Sequence, residues 1–285
     1  MAAWLTTRIR RYNAVLLAIP ALLWLLIFFV LPLIIVLGIS FMSRDLGGGP
    51  TLPLTLDQYE RVFGVFSGVF VRSVRIAFIS TAIALILGYP LAFFIKTRRS
   101  AFVRGFALFL VILPFWTNFL VRTYAWQVLL GQEGPINAVI TRLGLAAEPV
   151  QFLNTEFAVI VGLVYGFLPF MVLPIYASVE RFDFRQVEAA RDLGANDWQT
   201  FWRVVLPQTM PGVIAGCILV FIPAIGAFVT PDLLGGTQGL MIGNLIDRQY
   251  KGTGNLPLGA ALSIVLMGTV MLSLLVYIRY ADRER

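Results

Sequence analysis

The sequence predicts an all-α polytopic membrane protein with six transmembrane helices. Three observations carry this. Apolar residues make up 59% of the 285 positions and charged ones only 13%, six long uncharged runs recur along the chain, and Lys and Arg gather between alternate runs. A helix needs about 20 apolar residues to cross the hydrocarbon core. A soluble chain of this length would carry far more charge.

The runs lie at about 14–42, 76–95, 105–121, 157–179, 204–231 and 252–278. The first follows Arg8, Arg10 and Arg11 and stays uncharged from Tyr12 to Ser43. That exceeds the roughly 7–15 apolar residues of a cleaved signal peptide, so it reads as a retained span that tilts or projects. The third run is at the short limit. It is expected to continue past Arg122 through Thr123-Tyr124-Ala125-Trp126, with the arginine facing protein or water. Pro20, Pro32, Pro90, Pro114, Pro169, Pro174 and Pro223 fall inside runs. Kinks are expected there, since neighbouring helices can satisfy the freed carbonyls. Between runs, 45–57 and 232–257 are rich in Gly, Pro and Thr, and 127–156 holds Gly131, Gly134-Pro135 and Glu148-Pro149. These segments read as turns with little core of their own.

Charge sets an expected orientation. With the N-terminus in the cytoplasm, cytoplasmic segments hold 14 of the 22 Lys and Arg, against 8 outside. The positive-inside rule favours that arrangement, which puts both termini in the cytoplasm. Clustering at span ends explains the net charge of +7 by topology, so no nucleic-acid partner is expected.

Several chemistries are excluded. The chain has no His, hence no imidazole base or metal ligand, and no metal site is expected. Its one cysteine, Cys217, lies in an apolar run and reads as packing. Lys96 and Lys251 are the only lysines, and neither follows a glycine-rich phosphate loop, so the chain is not expected to hydrolyse ATP or to hold a cofactor. The span interiors lack the acids that ion-coupled carriers use.

The segment EAARDLGANDWQTFWRVVLPQTMP, from Glu188 to Pro211, is a charged insert between two apolar runs. Gln186 to Leu193 has helix-forming composition, and Gly194 supplies a C-terminal stop. Asn196 or Asp197 can cap a second short helix. There Trp198, Phe201, Trp202 and Val205 are spaced to share one face, and Pro207 and Pro211 are expected to end the unit. The alternative is an amphipathic loop lying on the membrane surface.

Glu188-Ala189-Ala190, Gly194 and Leu206-Pro207 resemble the EAA loop of permease subunits of ABC importers, with Val204 where that family more often has Ile. Leu87 to Ile95, Leu113 to Trp126, Gly162 to Glu180 and Pro231 to Gly236 resemble the spermidine/putrescine permeases of that superfamily, and the likeness runs from about residue 20 to 278. The resemblance implies a type I ABC importer permease fold in a bacterial cytoplasmic (inner) membrane. It implies residues 1–68 as N-terminus, first span and outer loop, and 69–278 as the transmembrane domain with its coupling loop at 180–211. A cytoplasmic tail would follow at 279–285. The implied partners are a second permease subunit, two cytoplasmic ATPase subunits that use ATP and Mg, an extracytoplasmic solute-binding protein and membrane lipid.

The implied cargo is a polyamine, which carboxylates and aromatic faces can hold through its ammonium groups. Candidates for the path are Trp116, Asn118, Tyr124, Tyr165, Phe228 and Asp232, with Trp126 beside them. The alternative for the aromatics is anchoring at the membrane interface, where Trp and Tyr are enriched. Asp232 is expected to follow the fifth span directly. Arg72 and Arg75 would repel a polyamine unless acids such as Asp57 or Glu60 pair with them, or they turn away. A permease for another small nitrogenous solute stays open, as does a secondary transporter.

Overall fold

The computed structural model describes residues 19–45, 47–252 and 254–281. Arg8, Arg10, Arg11 and the start of the first run lie outside the described residues, as do 282–285 of the expected tail.

In chain order the helices are α1 (Ile19–Ser40), α2 (Asp57–Phe63), α3 (Ser67–Thr97), α4 (Ala101–Ile112), α5 (Phe119–Leu130), α6 (Pro135–Arg142), α7 (Glu156–Arg181), α8 (Arg185–Asp192), α9 (Asp197–Ile225), α10 (Val229–Leu234), α11 (Ile242–Lys251) and α12 (Leu256–Ala281). Strands β1 (Met42–Arg44) and β2 (Pro50–Leu54) pair antiparallel as a small ribbon. Helices α1, α3, α7, α9 and α12 are long and apolar enough to cross a membrane. The stretch from α4 through α5 and α6 passes the same test only as a pair bent by 95°.

That bend departs from the continuous third span the composition suggests. After α4 the chain tightens into a 3₁₀ turn at Leu113–Trp116, and Thr117 and Asn118 are extended. Asn118 Oδ1 then accepts from Leu120 N at 2.8 Å and starts α5. A proline without an N–H and an asparagine cap, close together, divide what apolarity joins. At Pro90, Pro169, Pro174, Pro211 and Pro223 the helices instead run through.

The expectation that Pro207 and Pro211 close a separate short helix is also corrected. Helix α9 is unbroken from Asp197 to Ile225, with a wider π turn at Phe201–Val205 just before Pro207. Pro207 follows it after Leu206; lacking an N–H it cannot make the ordinary i→i−4 bond, and the helix widens there rather than stopping. The turn-rich segments conceal short elements: the ribbon at 42–54, α6 and α11.

The chain forms two compact units: Met1–Val65 with Arg248–Thr269, and Phe66–Asp247 with Val270–Arg285. In the first, the Ser40 and Tyr59 hydroxyls share a hydrogen bond of 2.7 Å, and Leu256 N donates to Gly48 O at 3.2 Å. The second is built on α3, α7 and α9. Ala92 and Ile95 of α3, Met171 and Ile175 of α7, and Val213 and Val220 of α9 belong to one buried cluster. In lipid, helices associate by close packing rather than by the hydrophobic effect. A Cβ at Gly212 of α9 would fall 2.5 Å from Pro174 O of α7, and one at Gly216 would fall 2.8 Å from Met171 Sδ. The glycines therefore set how closely α9 lies on α7. Tyr89 OH and Thr209 Oγ1, 2.9 Å apart, join α3 to α9 inside this core.

Candidate functional site

The Glu188–Pro211 segment folds as a capped bend. Gly194 ends α8 at φ +85°, a conformation that only glycine adopts without strain, although a Cβ there would meet nothing within 4 Å. Asn196, of the two residues considered, is the cap: its Oδ1 accepts from Gln199 N, and Gln199 Oε1 accepts from Asn196 N, forming a capping box. Arg191 donates to Asp197 Oδ1 at 2.8 Å, so an ion pair spans the bend. A hydrogen bond from Gln208 to Gln186 ties α8 to α9 a second time.

On the expected shared face of Trp198, Phe201, Trp202 and Val205 the three rings meet edge-on, Trp198 with Trp202 and Phe201 with Trp202, each at 5.5 Å, and the face runs from exposed to buried. Trp198 is 70% exposed and Trp202 49%, whereas Val205 is 4% exposed. Phe201 turns inward and meets the Tyr89 ring edge-on at 5.6 Å. Glu188, Ala189, Gly194 and Pro207 are exposed, Ala190 is half-buried, and Leu206 packs against the α3–α7–α9 core. Behind the bend is a cavity of about 450 Å³, walled by Phe93, Phe184 and Phe201 and rimmed by Glu188, Arg191 and Asp197. The motif thus presents small residues and one carboxylate outward while its other side is fixed to two spans.

The path candidates are not gathered into one cavity of this kind. Trp116 is 81% exposed at the bend, and Asn118 is committed to capping α5. Tyr124 and Phe228 are exposed. Tyr165 meets Trp126 edge-on at 5.5 Å, and both line a space of about 10 Å³ with Arg122 and Gly166. Arg122 faces protein, as expected, with its guanidinium carbon 5.7 Å from the Phe119 ring centre. Asp232 does not directly follow the fifth span. Helix α9 stops at Ile225, and Asp232 sits exposed on the separate short helix α10.

Arg72 and Arg75 are paired, but not with Asp57 or Glu60. Both reach Glu156 at the start of α7: Arg72 Nε is 3.4 Å from its Oε1, and Arg75 Nη2 donates to Oε1 at 2.6 Å. Arg72 also donates to Gln238 O at 3.1 Å. Sequence reasoning missed Glu156, although an acid opening the fourth apolar run marks the first turn of a helix.

The model of the family described as the inner membrane component of binding-protein-dependent transport systems matches residues 84–283. The chain belongs to that family. It is a permease subunit of an ABC importer, a transport subunit rather than an enzyme. The spermidine/putrescine transport system permease protein PotB of Haemophilus influenzae is 45% identical to this permease over 258 residues, covering 90% of this chain and 89% of that one. PotB of Escherichia coli K12 is 45% identical over 257 residues, covering 90% and 93%. Among solved structures, a bacterial ABC transporter that imports the acidic polysaccharide alginate matches with a TM-score of 0.75 at 19% identity, over 99% of both chains. The MetNI methionine ABC transporter matches with a TM-score of 0.58 at 18% identity, covering 79% of this permease and 98% of that chain. At such identities the structural matches establish the shared fold alone.

Proposed function

We propose that this permease forms half of the pathway of an ATP-driven polyamine importer in a bacterial inner membrane. Identity of 45% across nine-tenths of the chain to spermidine/putrescine permeases is the observation that carries the cargo. In this reading the chain crosses six times, with the bent α4–α5 stretch as one crossing, and both termini are cytoplasmic. A second permease subunit completes the path, a solute-binding protein delivers cargo from outside, and two ATPases attach inside. Residues 1–68, 69–278 and 279–285 serve as N-terminal segment, transmembrane domain and tail.

The coupling element is Glu188, Ala189, Ala190 and Gly194 with Leu206 and Pro207. Its small outward residues admit close approach by an ATPase, and its bracing to α3 and α9 suits it to pass ATPase closure to the spans. ATP binding then biases the assembly toward the outward-facing state. On the cargo side, Trp116, Asn118, Tyr124, Tyr165, Phe228 and Asp232 offer aromatic faces, one amide and one carboxylate. Several weak contacts of about 0.5–2 kcal/mol each suit a carrier that must release its cargo. Glu156 shields the path from the charge of Arg72 and Arg75. The test is uptake of radiolabelled spermidine and putrescine by cells lacking other polyamine importers and expressing this chain with its partners. Uptake is expected; a complete, assembled transporter that moves neither compound refutes the cargo.

A further inference from the structure

The turn between α3 and α4 carries Arg98 and Arg99, with Lys96 and Arg104 in the helix ends beside it, and no acidic residue occurs anywhere from Arg61 to Gln132. Two of these cations are used internally. Lys96 Nζ donates to Glu180 O at 3.2 Å. Arg104 falls on the same face of α4 as Ala107, Leu108 and Val111, which pack on the core. Arg98 and Arg99 are exposed, and neither belongs to an ion pair among the described residues.

Arg98 is not simply extended into water. Its guanidinium carbon lies 3.8 Å from the centre of the Phe94 ring, and that ring is itself 47% exposed on α3. Stacking on one face leaves the N–H edge free for bidentate bonding to an oxyanion. A few residues on in the chain, Phe102 and Phe106 on α4 are 78% and 52% exposed, with stacked rings 6.2 Å apart. Phe109 continues the row 6.4 Å from Phe106. A guanidinium stacked on an exposed ring, with a second exposed arginine next to it in the chain, therefore precedes an outward aromatic row on the apolar helix α4. Phosphate on an apolar body is the chemistry that matches both halves.

We propose that Arg98, stacked on Phe94, and Arg99 bind the phosphate headgroup of an anionic phospholipid whose acyl chains lie along the Phe102–Phe106–Phe109 row of α4. The site is independent of the cargo and of the coupling loop. It differs from the general excess of cytoplasmic cations, which sets topology without holding a lipid in one place.

The test uses the full-length permease purified with its partner subunits in nanodiscs containing equal phosphatidylglycerol and phosphatidylcholine. Retained lipid is counted by native mass spectrometry after detergent extraction. The parent should retain phosphatidylglycerol in preference to phosphatidylcholine. Arg98→Gln/Arg99→Gln should lower phosphatidylglycerol retention roughly tenfold or more and leave phosphatidylcholine unchanged. Arg98→Lys/Arg99→Lys keeps the topological charge, so it carries the test should the glutamine pair fail to insert. It should lose retention several-fold through the missing bidentate geometry. Equal phosphatidylglycerol retention by parent and lysine variant, or parental retention without lipid preference, overturns the site. So does displacement of the lipid by inorganic phosphate alone, which would mark a plain anion site.

Discussion

Gly194 shows how a single backbone angle can matter more than the space around it. Its φ of +85° ends α8, while the room beside it is open. A side chain there costs about 1–2 kcal/mol of left-handed strain. Gly194→Leu should therefore weaken copurification of the ATPase while membrane insertion stays normal, and Gly194→Asn, which tolerates this region, should lose much less. Undiminished ATPase recovery with normal uptake in the leucine variant would refute the coupling role. At the other end of the second unit, Asp232→Asn should reduce polyamine uptake with membrane level and ATPase assembly unchanged. Equal uptake by the variant would remove Asp232 from the path and leave the cargo untouched. Both residues were legible as candidates from the sequence, Gly194 as a helix stop and Asp232 as an acid near bilayer depth. Glu156 was not, because its importance comes from Arg72 and Arg75, more than eighty residues away in the chain.

Among the elements, five of the six apolar runs coincide, within the described residues, with helices long and apolar enough to cross a membrane, since length and lack of charge are local properties. Where two local signals conflicted, composition misled. The third run was apolar enough to read as one helix, yet Pro114 and Asn118 break it into a 95° bend. In the Glu188–Pro211 segment the opposite holds: Pro207 and Pro211 suggest a stop, but the helix widens into a π turn and α9 continues. Periodicity gives the shared face but not its depth, which falls from 70% exposure at Trp198 to 4% at Val205. The close contact of α9 on α7 gives an element-scale test. Gly212→Val would drive a side chain into Pro174 O and Ser178, and overpacking of this kind costs about 1–3 kcal/mol. The detergent-purified permease should melt several degrees lower, whereas Gly68→Val, at a site with nothing within 4 Å of a Cβ, should shift little. Equal melting points would show that α7 and α9 can separate without loss.

For the whole molecule, the decisive property is what drives it. No nucleotide loop is present in the sequence, so the purified permease alone should neither bind nor hydrolyse ATP. Uptake in cells should require the partner ATPase and continue when the proton gradient is collapsed with ATP maintained. Strict dependence on the gradient would return the case to a secondary transporter. Energy must then enter mechanically, and the unbroken run of α9 bears on how. At 29 residues the helix is a rod of about 43 Å, with Trp198 near one end and the membrane-crossing segment along the rest. A tilt of about 5° about one end displaces the other by about 4 Å, which is more than the radius of a water molecule and close to a side chain's width. Had Pro207 ended the coupling segment, a joint there would dissipate that stroke as local bending. With α9 continuous, leverage is set by length, and its regular ladder is interrupted at the π turn at Phe201–Val205 and at Pro211 and Pro223.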